Sequence, residues 1–304
     1  MPAKILDGKA IAKEMRRSIP AAIEAIKAKG IQPHLVSIQV GDDPASSVYV
    51  SNQRKSCIAS GIQYTLRTFD GATTEDVLVA YVERLNDEPS VTGVIIQLPL
   101  PAGIRAARLQ ALIRPEKDVE GMNPTNLGLL VQERPIIVPC TAMAVFEMIR
   151  YAGVDLRGKE AVMVGHSPLV GKPISILLLN SLATVTICHV ATEDVAAQTR
   201  RAEILAVAAG RPGLIRGSMI RPGALVIDVG INLVEVREEG KAEGPARRKS
   251  VGDVVFDEAL EVAGQISPVP GGVGPVTVAV LLRNIVRAAA LAAGIDHPPF
   301  DPAF

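Results

Sequence analysis

The stretch Val162-Met163-Val164-Gly165-His166-Ser167-Pro168-Leu169-Val170-Gly171-Lys172-Pro173 decides the fold. An apolar, β-branched run stops at a glycine, and a helical pattern of apolar residues follows from Leu169 into Leu179. Strand, tight turn and helix in that order make the unit that leads a nucleotide pyrophosphate onto helix N-terminal amides. Five residues separate the two glycines, and Ser167 stands where the G-x-G-x-x-G pattern has its second glycine. Such a turn also occurs in α/β proteins that bind no nucleotide, so its meaning depends on the rest of the chain.

A chain of 304 residues can bury a large core and is expected to form two domains. Hydrophobic residues make up 48% and charged residues 21%, the balance of a globular chain. Lys+Arg and Asp+Glu are both 32, so no basic footprint points to nucleic acid. Cys57, Cys140 and Cys188 are scattered without a C-x-x-C pair, as expected for reduced thiols in a cytoplasmic protein. Met1 to Asp7 lacks the basic region and apolar core of a signal peptide. The most apolar segment, Val276 to Ala293, carries Arg283, Asn284 and Arg287, so a buried helix is expected and no membrane span. The four histidines form no i, i+4 pair, and no metal is expected.

The rest of the chain alternates strands and helices. Gly8 to Gly30 reads as one amphipathic helix on Ile11, Met15, Ile19, Ile23 and Ile26, bent at Pro20. Strands are expected at His34–Val40, Ile62–Phe69 and Val91–Gln97, with helices at Ala45–Ser60, Thr74–Leu85 and Ile104–Ile113. A turn at Gly41-Asp42-Asp43-Pro44 and a polar loop from Pro115 to Pro124 connect them. Beyond a helix at Thr141–Ala152 and the Gly165 turn come a strand at Thr184–His189 and a charged helix at Glu193–Arg200. Strands follow at Ile204–Ala208 and Ala224–Val229. Arg237 to Lys249 reads as a solvated hairpin loop, Pro268 to Pro275 as a rigid loop before the final helix, and His297 to Phe304 as a loose tail. This alternation predicts parallel sheets covered on both faces.

Several loops together resemble one family, the methylenetetrahydrofolate dehydrogenase/cyclohydrolases. The matching stretches are Tyr49-Val50, Gln97-Leu98-Pro99-Leu100-Pro101, Lys117-Asp118-Val119-Glu120-Gly121, Pro139-Cys140-Thr141 and the Gly165 turn with Val170-Gly171-Lys172-Pro173. They continue through Asp228-Val229-Gly230-Ile231-Asn232 and Gly252-Asp253-Val254 to Pro268-Val269-Pro270-Gly271-Gly272-Val273-Gly274-Pro275. They run in the family's order over nearly the whole chain. The resemblance implies oxidation of methylene-tetrahydrofolate to methenyl-tetrahydrofolate with NAD(P), and hydrolysis of that product to formyl-tetrahydrofolate. It also implies two doubly wound α/β domains with a cleft between them, in a homodimer. Residues 1–139, completed by a C-terminal helix over 275–304, would form the catalytic folate domain, and 140–274 the Rossmann-like dinucleotide domain.

The resemblance assigns Tyr49 to pack against the folate, although its position also suits an ordinary core aromatic. Asp118 could accept hydrogen bonds from a pterin amino group and ring nitrogen; the alternative is an Asp bound to its own loop. Gln97 ends a strand at the sheet's carboxyl edge, where open α/β sheets bind ligands. Pro270, Gly271 and Gly272 would form a folate-side loop, or merely a tight connection. Thr141, Gly165, His166, Ser167, Val170, Gly171, Gly230, Ile231 and Thr277 would line the dinucleotide. Cys140 has no histidine partner in any local motif and reads as a buried small residue. Ala142 stands where the family has proline.

Two departures from the family matter more. The family has a lysine four residues after the tyrosine, and this chain has Gln53. On a helix Gln53 lies about 40° from Tyr49, Lys55 about 120° and Arg54 about 140°, so neither cation replaces it. Glutamine offers hydrogen bonds but no titratable proton. Hydride transfer rests on positioning, whereas hydrolysis needs acid–base help worth roughly 100- to 10,000-fold. A dehydrogenase with weak or absent cyclohydrolase activity is therefore expected, with the full bifunctional enzyme and a non-catalytic binding relative as alternatives. The second departure is Val190-Ala191-Thr192-Glu193-Asp194, acidic where NADP-using relatives carry basic residues. Glu193 comes about 20 residues after Gly171, where a carboxylate holds the ribose of NAD; it could equally favour a helix N-terminus. His166 stands where relatives have arginine. NAD is expected over NADP.

Overall fold

The computed structural model describes residues 2–41, 44–236 and 247–295, without the side chains of 44–49, 236 and 247. The described chain divides into two compact units, 13–140 with 278–295 and 2–12 with 141–277.

The chain opens with β1 (Lys4–Ile5), α1 (Gly8–Met15), a 3-10 turn at Arg16–Ser18 and α2 (Ile19–Lys27). The single bent helix expected here is thus two. Pro20 lies in the first turn of α2, where its missing N–H forfeits no helical bond. The apolar stripe survives the break, with Ile11, Met15, Ile19, Ile23 and Ile26 all buried. Next come β2 (His34–Val40), α3 (Pro44–Ala59), β3 (Gln63–Phe69), α4 (Glu75–Asp87), β4 (Gly93–Ile96), α5 (Ala106–Leu112) and α6 (Pro124–Val131). The β2 strand is central, parallel to β3 on one side and β4 on the other. All seven of its residues are buried, as a strand covered on both faces requires, while edge strand β3 is largely exposed. Val36, Ile38, Val40, Leu78, Val82 and Ile96 share one core. Asp118 forms a parallel bridge with Val94, so the polar loop runs beside β4 as a rudimentary next strand. Asp42 and Asp43 of the expected turn lie outside the described residues.

Sequence reading missed α6. Its start was legible as Asn123-Pro124: the Asn123 side chain caps the helix by accepting from Thr125 N at 2.7 Å, and proline takes the first helical position.

The other unit comprises α7 (Cys140–Tyr151), β5 (Glu160–Val164), α8 (Gly171–Asn180), β6 (Thr184–Cys188), α9 (Val195–Thr199), β7 (Ile204–Val207) and β8 (Leu225–Asp228). Then follow β9 (Asn232–Val236), β10 (Arg247–Val251), α10 (Phe256–Val262), β11 (Gln265–Ile266) and α11 (Val273–Ala292). Its sheet is parallel throughout, in the order β1-β11-β8-β7-β5-β6. The N-terminal segment belongs to this unit and not to the unit 13–140, where the sequence placed it, because Lys4 and Ile5 pair with Gln265 and Ile266. A two-residue strand docks through its backbone and carries no side-chain period by which a sequence could reveal it. Of the stretch over 237–249, residues 247–249 belong to β10, and β9 and β10 pair antiparallel from Asn232–Val251 to Val236–Arg247. Residues 237–246 and the tail 296–304 lie outside the described residues.

The α11 helix is long and apolar enough to cross a membrane by length and composition, yet 61% of its most apolar window is buried in the protein. Asn284 explains how it tolerates a polar residue. Its Nδ2 donates to the Val119 and Val138 carbonyls, each at 2.9 Å, and to Cys140 Sγ at 3.3 Å. Replacing Asn284 with leucine would strand buried carbonyls, so Asn284→Leu is expected to lower stability by about 1–3 kcal/mol. Urea unfolding measures this, and an unchanged midpoint would mean the carbonyls find other partners.

Candidate functional site

Within the unit 141–277, strand order turns at β5, which has β6 on one side and β7 on the other. Such a reversal opens a crevice at the carboxyl ends of the strands. One of about 400 Å³ is present, lined by Gly165, His166 and Ser167 after β5, His189 and Val190 after β6, and Arg211 after β7. That volume lies in the small-molecule range of roughly 300–1,000 Å³. Gly165 has φ +120°, and a Cβ there would overlap the Ala208 carbonyl oxygen; a Cβ on Gly171 would overlap the Gly165 carbonyl oxygen. Strand ends and helix start thus close together with no side chain between them. Ser167 Oγ accepts from Val170 N at 3.1 Å and Gly171 N at 3.4 Å, so it ties the turn to the start of α8 as well as lining the crevice. A wall of bare backbone, a hydroxyl and a strand-end crevice fit a nucleotide.

The loop after β7 is held by Asp253, which is fully buried. Its carboxylate accepts from the amides of Ala209, Gly210 and Arg211 at 2.6, 2.9 and 2.8 Å, and from Asn232 Nδ2 at 2.8 Å. Arg211 was not singled out from the sequence, because no local pattern ties it to the Gly165 turn. The rings of His166 and His189 stand 5.3 Å apart across the same crevice. Glu193 is exposed, whereas Thr192 and Val195 on either side of it line the crevice. The charged helix begins at Val195, later than expected, and its cap is Asp194, which accepts from Ala197 N at 2.8 Å.

The remaining dinucleotide candidates lie elsewhere in their chain segments. Gly230 donates to Asp228 Oδ1 at 3.0 Å, and burial pushes the Asp228 carboxyl up to about 6. Ile231 is exposed, Thr141 is part-buried at the start of α7, and the Thr277 hydroxyl donates to the Val273 carbonyl at 3.1 Å. Pro270 is exposed. The Gly271 carbonyl accepts from Gly8 N at 2.9 Å, and a Cβ on Gly8 would overlap the Gly272 carbonyl oxygen. The close approach made here by Gly271 and Gly272 is therefore to their own chain.

In the unit 13–140, the structure joins Gln53 and Gln97. Gln53, on α3, is buried at 1% exposure. Its Oε1 accepts from Tyr64 Oη at 3.1 Å and from Gln97 Nε2 at 3.2 Å, and Gln97 Nε2 also donates to Ser37 Oγ at 2.9 Å. The Gln53 Nε2 is buried without a hydrogen-bond partner among the described residues. Burial pushes the Tyr64 phenol up, which keeps it a protonated donor. Arg54 and Lys55 are exposed, as their helical angles require. Tyr49 falls within α3, but its side chain lies outside the described residues. Neither Ser37 nor Tyr64 was flagged in the sequence; each occupies one position in an ordinary strand pattern.

Asp118 is buried, and its Oδ2 accepts from Asn123 N at 2.6 Å and Asn126 Nδ2 at 3.0 Å. That oxygen serves its own loop. Burial raises the Asp118 carboxyl, and these hydrogen bonds pull it back down. Two residues on, the part-buried Glu120 has no hydrogen bond to its carboxyl among the described residues. Burial, and then the Asp118 charge, push Glu120 up to about 8, so at neutral pH it is an uncharged acid that can donate as well as accept. The adjacent Asp118 drew the sequence argument, and nothing local distinguished the two carboxyls. The Cys140 thiol is buried, donates to the Val119 carbonyl at 3.3 Å and is pushed well up, which leaves it inert.

Glu120 makes stability depend on pH. An unfolded glutamate ionises near 4.5 and the folded one near 8, so stability present at low pH is lost as pH rises through that window. The Glu120→Gln variant is expected to escape this loss, its stability relative to wild type rising by up to about 1.4 kcal/mol per pH unit. Urea unfolding at several pH values tests this; a difference that stays flat would show that Glu120 titrates normally.

Residues 6–120 match the catalytic domain of tetrahydrofolate dehydrogenase/cyclohydrolase, and residues 139–293 match its NAD(P)-binding domain. The chain is 48% identical over 292 residues to the bifunctional protein FolD of Bordetella petrii, covering 96% of each. The crystal structure of the bifunctional FolD of Campylobacter jejuni superposes with a TM-score of 0.88 at 39% identity, over 95% of this chain and 99% of that one. The Trypanosoma brucei FolD, solved with NADP and an inhibitor, gives the same TM-score and identity over 96% and 98%. With both domains matched in order along one chain, this protein belongs to the tetrahydrofolate dehydrogenase/cyclohydrolase family.

Proposed function

We propose that this chain oxidises methylene-tetrahydrofolate to methenyl-tetrahydrofolate with a nicotinamide dinucleotide. The observation that carries the reading is the bare-backbone crevice at Gly165, in a chain whose other unit matches the folate catalytic domain. When bound, the nicotinamide supplies the two-electron hydride acceptor. The protein's task is then positioning. Gly165, Ser167 and Gly171 would seat the dinucleotide. Gln97, fixed by Ser37 and Gln53, would present polar atoms to the folate, with Tyr49 stacking on its flat ring. Of the two carboxyls, Glu120 is the better pterin partner, because Asp118 is engaged by its loop. A cytoplasmic homodimer belongs to the same proposal, supported by the family resemblance and by Cys57, Cys140 and Cys188 being free thiols.

The relatives are named bifunctional, which favours a second, hydrolytic activity over the dehydrogenase-only reading. The sequence resemblance favours slow hydrolysis: it sets Gln53 against the family's lysine, and a glutamine has no proton to exchange. Following methenyl-tetrahydrofolate absorbance with wild type and Gln53→Lys separates the two readings. If Gln53 limits hydrolysis, wild type barely exceeds the spontaneous rate and the variant gains roughly 100-fold or more. Brisk hydrolysis by wild type would establish the two-activity enzyme and end the Gln53 argument.

For the dinucleotide, Val190 and Glu193 favour NAD, while Arg211 on the crevice offers a phosphate partner. NAD is proposed. Titration of both forms is expected to give the tighter constant for NAD, and a clear NADP preference would overturn it.

A further inference from the structure

The Gln53 amide has a donor end and an acceptor end, and its surroundings treat them unequally. Two donors converge on Oε1, the Tyr64 hydroxyl and the Gln97 amide, while Nε2 is buried with no partner among the described residues. A flip of the Gln53 amide alone would bring its own N–H group against the Gln97 N–H and lose that bond. Gln97 is held in turn by Ser37 Oγ. Buried amide donors in folded proteins are almost always satisfied, and an exception at a site of expected chemistry points to a ligand acceptor. Tyr64 stands on β3, an edge strand whose residues are mostly exposed, so its inward bond to a 1%-exposed glutamine is not a demand of core packing.

We infer that Tyr64 is a positioning residue of the folate site, which locks Gln53 so that Nε2 donates to a carbonyl-type oxygen of the bound folate. The inference rests on the folate reading above. It assigns Gln53 a binding role that needs no titratable proton, and it gives Tyr64 a role that neither motif nor spacing suggested. The oxygen can belong to the pterin ring or to a formyl group, and both present the same acceptor chemistry.

Calorimetric titration of tetrahydrofolate and of 10-formyl-tetrahydrofolate tests this with wild type, Tyr64→Phe, Gln53→Leu and the double variant. Tyr64→Phe is expected to weaken folate binding about 3- to 10-fold, as for loss of an orienting hydrogen bond, and to leave dinucleotide binding unchanged. In the Gln53→Leu background the same change should cost nothing further, since Tyr64 acts through Gln53. Equal losses on both folates identify a pterin oxygen; a loss confined to the formyl compound identifies the formyl oxygen. Gln53→Leu itself removes the donor, so it should bind folate at least as weakly as Tyr64→Phe. No loss in Tyr64→Phe, an undiminished loss in the double variant, or wild-type affinity in Gln53→Leu would overturn the inference. Wild type that binds dinucleotide but neither folate would instead overturn the folate reading itself.

Discussion

Backbone can approach backbone only where no Cβ stands between, and the 141–277 unit depends on that at Gly165 and Gly171. The end of β5 closes on the end of β7, and the first turn of α8 closes on β5. Because strand order reverses at β5, this close approach sits at the mouth of a crevice and not inside a packed sheet. An alanine at either position would force the strand ends apart and change the shape of the crevice with them. Asp253 secures the far wall by taking three successive amides of the loop after β7.

Buried polar groups in this protein fall into two kinds. Asp253, Asp118 and Asn284 spend their hydrogen bonds within the protein, on backbone amides or carbonyls and on a neighbouring side chain each, and they hold loops. Their role is architectural, since each removes a desolvation cost from the chain that surrounds it. Gln53 Nε2 is buried with no such partner among the described residues, and the half-buried Glu120 carboxyl has none either. Groups left in that condition carry a cost that packing alone does not explain, which makes them the better candidates for ligand contact. The same distinction underlies the proposal that Glu120, and not its neighbour Asp118, meets the pterin.

Much of the architecture was legible because its signals are local. The seven-residue strand His34–Val40, the Gly165 turn and the burial of the last helix all follow from period, turn chemistry and hydropathy. So did the exposure of Arg54 and Lys55, which helical geometry turns away from the face that holds Gln53. The β1 strand was invisible, because two residues joined to a sheet by backbone pairing leave no side-chain period.

The sequence by itself determined the order of the longer strands and helices, the family and the residue types available for chemistry, because these depend on contacts within a few residues or on ordered motifs. Tertiary structure alone decided which polar atoms are already satisfied. Tyr64 reaches Gln53 from a strand eleven residues on, Arg211 joins His166 from a different strand end, and Asn126 takes up Asp118 from the start of a missed helix. A hydrogen bond across such distances has no local signature: any residue of that type at that position reads the same until the chain folds and brings one particular donor to one particular acceptor.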